Sequence, residues 1–275
     1  MSDGSGLSKS PEEPIFETTV REEVCRLYRP GTRWLSTGYD GGASVGDHAF
    51  LVSVPEGWDD VDVSTYVARR RRDAGFDDGV STDSADAPLD ATLDAPALLT
   101  GVSMRHARRA RLGPVEAVVT AGVNNPAALP MSPVEASVTN ASERVDDRRH
   151  DGTVNVVVGT TRSLGPGALA NLVAIAAEAK AATLLAKTGF PGTTSDAVLV
   201  GCDPDGEAAT FSGSATAVGS AARACVRDAL LAAMASRYDD EDPPASVGEA
   251  EYGVVTSEQA RVSQIGSDQR SERRR

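Results

Sequence analysis

The chain of 275 residues carries 40 acidic against 27 basic side chains, a formal net charge of −13. That balance argues against the broad basic face a nucleic-acid binder needs, and three cysteines, an odd count without CxxC spacing, fit a reduced intracellular protein better than a disulfide framework. Hydrophobic residues make up 40% of the chain and aromatic ones only 4%, so the core has to be built from small aliphatic side chains.

Residues 1–13 are polar, lack the basic start and apolar stretch of a secretory signal, and are expected to be disordered. "RWLSTGYDGG", at 33–42, reads as a strand running into a glycine turn. Short β-branched runs bounded by Gly, Pro or Asp predict strands at 48–54, 96–104, 115–123, 153–160 and 196–202. Helices are expected at 62–74, 165–188 and 215–236. The second is marked by a proline near its first turn and by Gly189 just past its end. The segment 73–96, rich in Asp, Ser, Thr and Ala, reads as an acidic surface insert, and 132–152 as another exposed connection. From 238 to 275 the chain is polar, acidic at first and basic at its end, and reads as a disordered tail. The elements together predict one α+β domain over 14–237, a mixed β-sheet covered by helices, with disordered N- and C-terminal tails.

No uninterrupted apolar run approaches the ~20 residues of a membrane span, so no membrane is expected as partner; the acidic balance argues likewise against a nucleic acid, and the chain is placed in the cytoplasm. The sequence leaves a homo-oligomer open. Lys9, Lys180 and Lys187 are the only lysines. An acidic surface with arginine in place of lysine resembles proteins of salt-loving archaea, where molar salt screens charge within about 3 Å.

Two of the few ions in the 165–188 helix sit midway along it. Glu178 and Lys180 are about 200° apart around the helix, and both of their faces are apolar in sequence, so burial on two sides is expected. A dry, unpaired charge costs several kcal/mol, so each needs a partner or a catalytic use. Surface snorkelling of Lys180 and an arginine partner for Glu178 are the bland alternative.

Several motifs in order, "LSTGYDGG", "LLTGVSM", "VTAGVNNPA", "GTVNVVV", "EAKAATL", "GTTSDAVLV" and "FSGSATAVGSAARACVRDAL", are similar to those of the adenosylcobinamide amidohydrolases of archaeal cobamide salvage, over 34–234. The chain departs from the family pattern in its "FPGTTSDA" loop, where Ser195 precedes Asp196, and in the size of the acidic insert. The resemblance implies hydrolysis of the amide joining a corrin side chain to aminopropanol, giving adenosylcobyric acid. It implies a corrinoid substrate and no cofactor, cobalt entering only inside that substrate. A non-catalytic corrinoid-binding or delivery protein is the alternative.

Amide hydrolysis needs a nucleophile, stabilisation of the oxyanion and a proton for the departing amine. Glu178 is the candidate base and Asp196 its rival, the latter also a natural turn-capping residue. Lys180 would hold an acidic partner or developing negative charge. Asn125 and Asn155 are candidate donors to the oxyanion or to corrin amides, Asn155 standing out because asparagine is disfavoured inside a strand. Thr193 and Thr194 are candidate substrate contacts. Gly41 and Gly42 offer close backbone approach to a large planar ligand or an ordinary turn. Hydroxyls beside glycines, Thr100, Ser103 and Ser195 among them, keep a covalent route open, although no GxSxG elbow occurs. His48, opening a strand, is a candidate ligand or base, whereas His106 and His150 read as solvated. There is no HExxH or paired Cys/His spacing, and no bound metal is expected.

Overall fold

A computed structural model describes residues 13–55, 62–76, 95–131, 152–250 and 252–265. The first three strands, β1 (Glu17–Arg21), β2 (Val24–Ser36) and β3 (Gly42–Ser53), precede helix α1 (Val63–Asp73). Strand β4 (Ala97–Thr100) follows, then a 3-10 turn (Met104–His106), β5 (Arg108–Leu112), β6 (Val115–Ala121) and the short β7 (Pro126–Ala128). Beyond it come β8 (Val154–Thr160), β9 (Ser163–Leu164), the long helix α2 (Pro166–Thr188), β10 (Gly192–Thr193) and β11 (Ala197–Cys202). Two-residue β12 (Ala208–Ala209), helix α3 (Ala217–Arg237) and β13 (Val254–Val255) complete the order.

The main sheet runs β4-β3-β2-β11-β8-β6-β5, with β1 added alongside β2. It is mixed, as expected: β8 and β11 are parallel, and so are β3 and β4, while the other pairs are antiparallel. Each parallel pair is joined through a helix, α2 in the first case and α1 in the second, because parallel strands need a crossover. β8 and β11 are buried along their whole length, which is why both read as nearly continuous runs of valine and leucine.

One face of the sheet packs Val154, Val156, Val158, Val198 and Val200 against α2 and α3. The other face holds Phe16, Trp34, Leu51, Leu98, Val157 and Leu199. There Gly159 and Gly201 stand side by side on β8 and β11, and a Cβ on either would run into an aromatic ring: Phe16 over Gly159, Trp34 at 2.6 Å from Gly201. The two rings stack with centroids 5.5 Å apart, so this pair of glycines is a slot for the largest side chains of an aromatic-poor core. Glu116, wholly buried on β6, accepts from Ile15 N at 3.0 Å and lies 3.5 Å from Arg109 Nε, so its charge is compensated while it fastens the start of the chain to the sheet.

Helix ends follow the expected chemistry. Pro166 stands in the first turn of α2, and Gly189 closes it in the left-handed conformation at φ 85°. The expectation that α2 is buried on both sides is corrected: Leu172, Ile175, Ala176, Ala179, Lys180 and Leu184 face inward, while Glu178, Ala182 and Leu185 are exposed. Alanine is a strong helix former at any depth, so an alanine-rich face does not report burial. α2 is long and apolar enough to cross a membrane, with a mean hydropathy of 1.5, but half of that window is buried within the protein.

Other expectations also shift. Strand 96–104 stops at Thr100 and gives way to the turn that carries His106. His106, expected in solvent, is 7% exposed; its Nε2 accepts from Arg105 Nε at 2.8 Å, and its Nδ1 meets Ser236 Oγ at 3.0 Å. Burial, together with Arg105, Arg237 and Arg108, holds its pKa below the usual imidazole value. After α3, Tyr238 Oη accepts from Val123 N at 2.8 Å and donates to Asn124 Oδ1, and β13 pairs with β7, so part of the expected tail is built onto the fold. His150 and most of the acidic insert lie outside the described residues.

Candidate functional site

Strand β11 starts where the site is. The loop 189–196 leaves α2, forms β10 against β7, and delivers Ser195 and Asp196 to the head of the strand. Asp196 accepts four hydrogen bonds: from Val154 N at 2.9 Å, Thr193 N at 3.0 Å, Thr193 Oγ1 and Lys180 Nζ. Lys180 is 8% exposed and reaches Asp196 from the inner face of α2. The pair is thus a buried ion pair whose carboxylate is fully hydrogen-bonded, the arrangement in which buried charge is tolerable. Gly192 makes room for it, since a Cβ there would stand 2.7 Å from Asp196 Oδ2 and 3.0 Å from Lys180 Nζ.

Asp196 and Ser195 border a cavity of about 260 Å³ whose other walls include Thr37, Tyr39, Leu99, Thr100 and Thr153. Ser195 Oγ lies 2.7 Å from Thr153 Oγ1 and donates to Gly152 O at 3.2 Å. Hydroxyls and a paired carboxylate therefore converge on one concave, partly apolar space, the common make-up of a small-molecule site.

The expected site residues divide into three groups. Lys180, Asp196, Thr193 and Asn125 come together: Asn125 Nδ2 donates to Thr194 Oγ1 at 2.7 Å and to Ser195 Oγ at 3.4 Å, and Thr194 N returns a bond to Asn125 O. Thr193 and Thr194 thus shape the loop, and the cavity wall itself falls to Ser195 and Asp196. Asn155 lies next to this group, its Nδ2 donating to Leu99 O at 2.7 Å beneath the cavity wall. Its buried Oδ1, like that of Asn125, has no hydrogen-bond partner among the described residues.

Gly41 and Gly42 are not in the cavity wall; they form the β2–β3 turn that places Tyr39, with Gly42 at φ 118° and no space for a Cβ on Gly41 beside Ser36 O. His48 is brought elsewhere, its ring 5.1 Å from that of Tyr28, in a small recess with Trp34 and Asp47. Glu178 is the clearest correction. Its side chain is 61% exposed and meets Arg223 Nη1 of α3 at 3.0 Å, outside the core and outside the cavity. Thr37, Tyr39 and Thr153 escaped the sequence reading, although each lies within a motif singled out there, "STGYDGG" or "GTVNVVV".

Residues 10–242 match the family model described as adenosylcobinamide amidohydrolase. The chain belongs to the adenosylcobinamide amidohydrolase family. A Halobacterium salinarum protein named adenosylcobinamide amidohydrolase is 52% identical over 248 residues, covering 90% of this chain and 99% of that one. Among solved structures, an L-aminopeptidase D-Ala-esterase/amidase from Ochrobactrum anthropi, described as a variant of the Ntn hydrolase fold, shares 16% identity, with 80% of this chain and 82% of that one covered at a TM-score of 0.33. A Pyrococcus horikoshii protein shares 12%, with 79% and 78% covered, at 0.40. Both scores are too low to transfer a site. Three stretches singled out in the sequence line the cavity: "STGYDGG" gives Thr37 and Tyr39, "LLTG" gives Leu99 and Thr100, and "GTTSDAVLV" gives Ser195 and Asp196.

Proposed function

We propose that this member of the family hydrolyses adenosylcobinamide at the amide between a corrin side chain and aminopropanol, in cytoplasmic corrinoid salvage, and that the Asp196 cavity is where it does so. The observation that carries the assignment is the buried Lys180–Asp196 pair at the wall of a hydroxyl-lined cavity. Water adds to the carbonyl carbon and gives up a proton to Asp196. The tetrahedral intermediate collapses with cleavage of C–N, and the proton passes to the departing amine, leaving adenosylcobyric acid and the amino alcohol.

In the resting site both oxygens of Asp196 are occupied. Of its four donors, the Thr193 hydroxyl alone can turn its O–H away by rotation about a single bond, without displacing backbone or helix. Rotation of the whole side chain about Cα–Cβ withdraws Oγ1 from Asp196 Oδ1 and frees that acceptor position for the attacking water. Lys180 does not line the cavity; it acts as a positioning residue, holding the carboxylate in place and aimed. The Ser195 and Thr153 hydroxyls stand where they can bond the carbonyl oxygen as it gains charge, the largest single contribution in many acyl transfers. Glu178 has no part. Chromatography of adenosylcobinamide incubated with the protein in high salt tests the function, with adenosylcobyric acid the expected product and an unchanged substrate the contrary result.

A further inference from the structure

The 260 Å³ cavity is smaller than the roughly 300–1,000 Å³ of pockets that hold drug-sized ligands, so it takes the scissile side chain and leaves the macrocycle outside. A groove of about 620 Å³ adjoins it, and Tyr39 and Leu99 belong to the walls of both. Its sides mix apolar Val45, Val67 and Ala68 with polar Asp40, Ser44 and Ser64. Tyr39 is 53% exposed, its Oη lies 3.4 Å from Ser64 Oγ, and the turn that carries it is tightly constrained. Asp40 beside it is in the left-handed region at φ 48°, and Gly41 closes the turn so tightly that a Cβ would stand 2.5 Å from Ser36 O. An aromatic ring held at the junction of two concavities, half in solvent, is preorganised for a flat ligand.

Resting on the hydrolase reading above, we propose that this groove seats the corrin ring and that Tyr39 is its specificity-determining support. The apolar ring face lies on Tyr39 and Leu99, and the neutral carboxamides around the ring bond to Asp40, Ser44 and Ser64. Binding energy from this non-reacting part then holds the side-chain amide at Asp196.

The experiment compares wild type, Tyr39→Ala, Tyr39→Phe and Ala68→Trp, a substitution outside the cavity wall that fills the groove. Steady-state kinetics on adenosylcobinamide are measured alongside the Kd of adenosylcobyric acid, followed by the change in its visible spectrum, with thermal unfolding as the check on folding. Tyr39→Ala and Ala68→Trp are expected to raise both KM and Kd about tenfold or more with kcat within about threefold, and Tyr39→Phe, which keeps the ring, to raise them several-fold less than Tyr39→Ala. KM and Kd within about twofold of wild type in both variants, or a loss confined to kcat, overturns the seat. A wild-type protein that binds the corrin but never cleaves it overturns the hydrolase reading, while a weaker Kd in Tyr39→Ala still upholds the groove.

Discussion

Glu178 and Lys180 stand two positions apart, and about half a helical turn separates a surface ion from a buried one. Angular spacing alone puts them on opposite faces; which face is dry depends on where the sheet lies, and sequence does not record that. Glu178→Gln removes an exposed pair with Arg223, an interaction worth about 0–1 kcal/mol, and is expected to leave both turnover and melting temperature close to wild type. Lys180→Met removes the countercharge of Asp196 in a largely buried pair; a stability loss of about 3–5 kcal/mol is expected in denaturant titration. Turnover is expected to fall with it, whereas Lys180→Arg is expected to recover part of the stability through a retained charge. The thiols make a second test at this scale. Burial pushes Cys25 and Cys225 from 9.0 up to about 11, against the partial opposition of Arg109 at Cys25. Their folded values lie above the unfolded one, so the stability they contribute is whole below about pH 9 and is lost as pH rises toward about 11. Denaturation midpoints across that window are expected to fall in wild type, and to fall less in Cys25→Val and Cys225→Val; equal slopes would contradict the burial origin.

Elements announced by their caps and cores were the legible ones. Pro166 and Gly189 bracket α2, and the valine runs of β6, β8 and β11 are buried on both faces. Strands β1 and β5 were not legible, because "ETTVR" and "RRARL" carry little apolar alternation. β5 is an edge strand, and arginines on an edge discourage pairing with another chain. The Gly159–Gly201 slot was invisible for another reason: a strand glycine signals close approach without saying of what. Gly201→Ala or Gly159→Ala forces its methyl into the Trp34 or Phe16 ring, and each is expected to cost about 1–3 kcal/mol or more, read as a lower melting temperature with altered tryptophan fluorescence. An unchanged melting temperature in both would mean that the stacked rings are free to move aside.

For the whole molecule, the site draws on positions scattered along the chain: Thr37 and Tyr39, Leu99 and Thr100, Thr153, Lys180, Ser195 and Asp196. Spacing could suggest Asp196 and the Gly/Thr loop, but only the parallel β8–β11 pair and the α2 crossover bring Lys180 and Thr153 to them. The charge of −13 acts at this scale too. Self-repulsion opposes the compact state at low salt, so the melting temperature is expected to rise steeply up to about 1 M KCl, where the Debye length is about 3 Å; a flat response would show the acidity to be irrelevant to stability. The most direct test of the account is the rate at which Asp196→Asn converts adenosylcobinamide, in a protein shown to be folded. A loss of about a hundredfold or more is expected for a missing general base, and a rate equal to wild type would contradict the assignment of the chemistry to this cavity.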